Sequence, residues 1–320
     1  MLVPSWKGQA RSLSGRGTQQ SVFCVFLLRY SRTVKKNTIM KKEKEKQLKD
    51  LYEQAMAAKE LHHMDEAIAL LTKAADGGYQ QAMLTLGIIY HWGMEVDPDD
   101  DKAIYWLKKD ADLGSEAACI NLGHTYYDKE ENDENNRLAW MYYEKAMEID
   151  EQNAFFLGRM IFEDRCGIYD DEQQKLTEAK KYFLTSLLLG DALSGLYLWQ
   201  MEIKLGQTDS AEKYYRMGEK NMAQPSDYNN WGCKLCEWAE PERALPYIEK
   251  CLSLMGEDVK PIQLNNYAEC LYDLEREDEA LPMFKKSVEL CKQKDERRRL
   301  HYIMEDMKRK FGDNFQMESM

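Results

Sequence analysis

Residues 80–109 read QQAMLTLGIIYHWGMEVDPDDDKAIYWLKK, and residues 116–146 echo them as EAACINLGHTYYDKEENDENNRLAWMYYEKA. Each stretch opens with an apolar run around a glycine: Leu84, Leu86, Ile88, Ile89 and Tyr90 surround Gly87. A polar loop rich in Asp and Asn follows, then a second apolar run behind an alanine, as Ile104, Trp106 and Leu107 stand behind Ala103. Apolar side chains recurring at i, i+3 and i+4 with charged residues between them predict amphipathic helices. The loop residues suit helix ends, because Asp and Asn side chains accept from free backbone N–H groups. The unit is a helix, a turn and a second helix.

Working outward, the same unit recurs. One column of small residues is Ala55, Gly87, Gly123, Gly158, Gly195, Gly232 and Ala268, at intervals of 32 to 37 residues. A second is Ala67, Ala103, Ala139, Ala179, Ala211, Ala244 and Ala280, at intervals of 32 to 40. A glycine inside a helix costs about 1 kcal/mol relative to alanine. Something must offset that cost, and close approach of two helices does so, since a missing Cβ lets a neighbour sit against the backbone. The expectation is seven helical hairpins nested through their small residues. The step from first to second column is 12 residues in units one, six and seven, 16 in units two, three and five, and 21 in unit four. The additional residues are expected to lengthen the loop between helices. Unit four carries an inserted polar loop at Gly167–Lys175. Ala-Leu-Pro at 244–246 and 280–282 places a proline near the start of the second helix, where a missing N–H costs least.

Two families share this pattern. The 16-spaced units resemble Sel1-like repeats, on Ala82, Leu86-Gly87, Tyr90, Asp97, Lys102-Ala103, Trp106 and Gly114, and again on Ala118, Leu122-Gly123, Tyr126, Ala139, Tyr142 and Ala146. The 12-spaced units resemble tetratricopeptide repeats, on Tyr228, Trp231-Gly232, Leu235, Ala244, Ile248 and Cys251, and on Leu264, Tyr267-Ala268, Leu271, Ala280, Phe284 and Ser287. Unit five departs from the pattern, with Ser194-Gly195 where the family has Leu-Gly. The resemblance implies an all-α superhelical solenoid. Residues 48–75 would be tetratricopeptide-like, 82–220 four Sel1-like units, and 225–292 two tetratricopeptide-like units, within a repeat region spanning 40–292. Residues 293–320 follow as a capping helix and tail, with Leu300, Ile303, Met304, Met307 and Phe311 on one stripe. Layers packed about 9–10 Å apart would form an arc roughly 70 Å long.

Charge narrows the partners. The 320-residue chain has 44 Lys and Arg against 56 Asp and Glu, a net charge of -12. So acidic a chain is a poor general ligand for nucleic-acid phosphates. Residues 1–39 run the other way, with seven basic residues and no acidic one. Three readings of that segment stand side by side: a basic disordered tail upstream of a start at Met40, an organellar transit peptide, or a secretory signal. The apolar run Val22–Leu28 is far too short to span a bilayer, and no membrane insertion is expected anywhere.

Motifs for chemistry are missing. There is no P-loop, GxGxxG, GxSxG or HExxH pattern. Cys233-Lys-Leu-Cys236 is the one CxxC, and it lies inside a helix without a second pair to complete a zinc site. Some secreted Sel1-like proteins carry a disulfide in every repeat. This chain has no such periodic pair, which points to a reducing compartment. Asp97, Asp99 and Asp101 mimic a calcium loop, but Lys102 stands at its glycine and Lys108 at its final glutamate. We therefore expect no enzyme, cofactor or metal, and a cytoplasmic protein, with a mitochondrial or other organelle as the alternative if residues 1–39 target it. The competing reading is a zinc- or redox-active protein using Cys233 and Cys236.

In tetratricopeptide-like arrays the first helix of each unit lines a concave face that holds a partner's peptide. Carried to this chain, positions one and four residues after each small residue, with Asn229 and Asn265 three before, give the candidate contacts. The set is His91, His124, Tyr127, Arg159, Phe162, Trp199, Asn229, Asn265, Glu269 and Tyr272. The expected function is a scaffold or adaptor for a protein or peptide, with acidic rims steering a basic partner. For Trp199 and Phe162 a role in the seam between repeats stands equally.

Overall fold

Fifteen helices follow one another in the computed structural model, which describes residues 16–167, 169 and 171–312, with side chains from residue 38 onward. They are α1 (Arg16–Glu60), α2 (Met64–Asp76), α3 (Gln80–Trp92), α4 (Asp100–Ala111), α5 (Glu116–Asp128), α6 (Asp133–Ile149), α7 (Ala154–Phe162) and α8 (Glu172–Leu188). Then come α9 (Ala192–Lys204), α10 (Thr208–Asn221), α11 (Pro225–Glu237), α12 (Pro241–Met255), α13 (Pro261–Asp273), α14 (Glu277–Gln293) and α15 (Arg297–Phe311). Consecutive helices pack as seven pairs, α1 with α2 through α13 with α14, and α15 closes on α14. No strand occurs among the described residues. The architecture is an all-α solenoid.

The helix starts are the ones the loops predict. Side chains of Asp99, Ser115, Asn132, Asp171 and Asp191 each accept from a backbone N–H in the first turn that follows. Pro225, Pro241 and Pro261 open α11, α12 and α13, where the absent N–H has no helical partner to lose. Pro246 and Pro282 differ from expectation. They lie inside α12 and α14, a turn beyond the start, where each does remove a helical hydrogen bond.

Every residue of the alanine column is buried. The glycines nest as expected, but their partner is not the matching alanine. A Cβ on Gly87 would meet Leu107 at 2.5 Å, one on Gly123 the Tyr143 ring at 2.3 Å, and one on Gly232 Ile248 at 2.4 Å. Gly158 faces Phe183 and Tyr182 at 3.1 Å. In each case a large knob four residues past the alanine fills the space the glycine vacates.

The 16-residue spacing also resolves differently from the expected longer loop. Unit two puts the additional residues in its loop, whereas unit five has a three-residue loop, 205–207, and its small residue, Gly195, in the first turn of α9 rather than past the middle of the helix, as Gly87 is in α3. The array is not an open arc either. The apolar stripe of α15 seats on unit seven through Ile303, Met307 and Phe311 against Leu271, Phe284 and Val288, while its N-terminal end reaches α3. Successive units turn the chain until its C-terminal helix meets α3 of unit two. At the other end, residues 16–39 continue α1 as helical backbone. Residues 1–15 and 313–320 lie outside the described residues, and with them the first part of the segment read as a tail or targeting sequence.

Candidate groove on the first-helix face

The first helices of neighbouring units touch directly, α3 with α5, α9 with α11, and α11 with α13. Together they line a groove of about 510 Å³ that runs from unit three to unit seven. Its walls include His124, Phe156, Arg159, Tyr197, Asn229 and Lys234. Many groove-lining positions fall two or three residues before the small residue or one or two after it, a stripe along one side of the helix.

Glu163, just beyond α7, joins several of the groove-lining side chains. It accepts from the Tyr127 hydroxyl, from Tyr197 Oη at 3.1 Å and from Arg159 Nε at 3.2 Å. Lys234 Nζ lies 3.7 Å away. Tyr127 comes from α5, Tyr197 from α9 and Lys234 from α11, so one carboxylate ties four consecutive units. Burial works against its charge, but Arg159, Tyr127 and Lys234 hold it below the usual carboxylate range. Desolvation works against Arg159 too, but Glu163 together with Tyr197, Tyr127 and Tyr143 outweighs it, raising the guanidinium's pKa. Burial pushes the Tyr127 hydroxyl up to about 12. The guanidinium groups of Arg159 and Arg165 lie 4.3 and 4.4 Å from the Tyr127 ring centroid.

The sequence candidates divide into three groups. His124, Arg159 and Asn229 line the groove. His124 Nδ1 is 2.8 Å from the Tyr143 hydroxyl, and burial, helped by Arg159, pushes the imidazole down to about 4, so it is neutral at physiological pH. Asn229 Oδ1 accepts from Asn266 Nδ2 at 3.1 Å, pairing two amides on the groove wall. A second group lies in the seams: Tyr127, Phe162 and Trp199. Phe162 packs beside Phe183, Tyr197 and Trp238, and Trp199 against Tyr215 and Trp238. The third group is held by α15 or its junction. Tyr272 donates to the carbonyl of Lys310 at 2.9 Å, and Asn265 donates to Glu269 at 2.7 Å. Glu269 is raised by burial and by the facing carboxyl of Asp306. His91 contacts Asp100 and Arg298.

Counting one and four residues past the glycine missed Tyr197 and Lys234, which stand two past it, and Glu163, which stands five past. The available signal was the stripe itself: position four drifts off the groove side of the helix into the seam. Cys233 lines the groove, with its thiol pushed up to about 12 by burial. Cys236 is raised by contact with Cys270. Both favour the thiol over the metal-binding thiolate. Among the described residues no cluster of His, Cys, Asp and Glu is arranged to hold a metal ion.

Comparison with known proteins finds likenesses in sequence and in structure. The Sel1 repeat family matches residues 64–79, 80–115 and 116–148. No curated protein matches the chain in sequence. Among solved structures, a protective antigen of uropathogenic Escherichia coli with an SLR fold is 21% identical over 76% of this chain, at a TM-score of 0.46. The present chain spans only 54% of that protein. A Sel1 repeat protein from Oxalobacter formigenes is 20% identical over 59% of this chain and 76% of its own, with a TM-score of 0.44. A tetratricopeptide repeat protein from Parabacteroides merdae is 14% identical over 80% of this chain and 98% of its own, with a TM-score of 0.45.

Proposed function

We propose that the chain is a non-catalytic scaffold holding a protein or peptide partner along the groove of its first helices, since residues 64–148 match Sel1 repeats set in an all-helical array. The observation that carries the reading is the groove itself. It offers apolar floor (Phe155, Phe156, Leu193, Ile262), paired amides (Asn229, Asn266) and acidic wall (Asp191, Asp227, Glu237) in one continuous surface. Amides can meet a peptide backbone, aromatic floor can take apolar side chains, and the acidic wall favours a basic partner over nucleic acid. The proposed setting is the cytoplasm, in keeping with buried, unpaired thiols.

Asn230 is exposed on the groove wall, so Asn230→Trp fills the groove without entering the core. Affinity purification should lose its specific partners with Asn230→Trp and keep them with Leu188→Arg, a substitution on the far edge where Leu188 is 73% exposed. An identical partner set for both variants would move the binding surface elsewhere. Substituting Tyr127 or Phe162 would confuse the result, because both stabilise the array.

A further inference from the structure

The two ends of α15 are held by different physics. Its C-terminal two-thirds bury Ile303 and Met307 in the core of unit seven, with Leu300, Met304 and Phe311 packed alongside. Its N-terminal end meets unit two through polar groups. Arg297 pairs with Asp97, and Arg298 reaches Asp100 at 2.8 Å and His91 at 3.0 Å. The Arg299 guanidinium lies 4.9 Å from the Trp92 ring centroid. Two backbone bonds cross the same junction: Glu95 N–H to the Asp295 carbonyl at 3.0 Å, and Arg297 N–H to the Gly93 carbonyl at 3.3 Å. Among the described residues, no hydrophobic cluster joins α15 to α3. Asp97 is 90% exposed and Arg297 44%, so that pair is open to counterions.

We propose that α15 is a strap, seated on unit seven and clasped to unit two by Arg297 and Arg298, which releases at the clasp and so opens the ring of repeats. Release costs little buried apolar surface, because the apolar stripe stays on unit seven. Screening weakens the exposed half of the clasp first, while the half-buried Arg298–Asp100 pair resists longer. As the way a partner enters the groove, the opening rests on the function proposed above; as a motion of the chain it does not.

The two cross-junction amides report the motion in the full chain. At low salt the Glu95 and Arg297 amides should exchange slowly with deuterium. Arg298→Glu, or salt raised to about 0.5 M, should speed both about tenfold while amides at Ile303 and Met307 keep their protection. A Met94→Cys/Glu296→Cys disulfide joins the two residues that face each other in an isolated antiparallel bridge. It should abolish the salt effect. Protection unchanged by both salt and Arg298→Glu overturns the proposal, as does protection lost equally along all of α15. Neither readout needs a partner, so a working clasp in a chain whose groove variants keep every partner would sink the function reading alone.

Discussion

Units two and five share the same 16-residue step between their small residues, yet they nest differently. In unit two the surplus loops out between α3 and α4, and Gly87 receives the side chain of Leu107. In unit five α9 runs on to Lys204 across a short turn, so Gly195 falls a helical turn earlier relative to its partner helix. It meets Gly218 backbone to backbone, 2.6 Å from its Cα to where a Cβ would stand. A column of small residues therefore specifies that two helices touch there, but not what fills the contact. Flexible side-chain tips and rigid backbone give very different tolerance to an added methyl.

That contrast sets an order of effects. Gly195→Ala should cost about 3 kcal/mol in a urea titration, because the clash is with the Gly218 backbone and the Tyr214 carbonyl, and the helices must part. Gly123→Ala should cost about 2 kcal/mol. There the obstacle is the Tyr143 ring, stacked on Phe156 at 4.8 Å and unable to swing freely. Gly158→Ala should lie within about 0.5 kcal/mol of wild type, because neighbours at 3.1 Å need yield little and alanine is the better helix former. Equal costs at Gly195 and Gly158 would break the distinction between the two kinds of contact.

The two ends of α15 allow a sharper version of the same test. In its apolar seat burial, with the facing Asp306 carboxyl, makes the folded chain hold a proton on Glu269 that the unfolded chain gives up. Stability should then fall as pH rises from the ordinary glutamate value of 4.5 up through the elevated one. Glu269→Gln should flatten that decline in a series of urea midpoints. A decline of the same steepness in the variant would assign the pH dependence to other groups.

The repeat, its seven pairs and the capping helix were legible because each is written in local spacing. Small residues at Gly87, Gly123 and Gly232 mark contacts within one hairpin, and the stripe of Ile303 and Met307 marks a buried helix face. The meeting of α15 with α3 was not legible. It depends on small rotations accumulated over six units, and Arg297 and Asp97 stand 200 residues apart. In isolation the arginines read as a solvated face. The groove was legible as a face and not as a list: His124, Arg159 and Asn229 fall on it, whereas Trp199 turns into the seam. Trp199 shifts because Gly195 stands a turn nearer the start of α9 than Gly87 and Gly232 do in α3 and α11, so a count of four past it ends at a different face. Glu163 was hidden because it lies past the end of α7, outside the helical register used to count.

The claim that the first-helix face is the working surface is tested most directly by a photo-crosslinking amino acid placed at Asn230 in the groove or at Leu188 on the outer edge. The account predicts a discrete partner adduct from position 230 and none from position 188. An adduct formed from position 188 alone would contradict it.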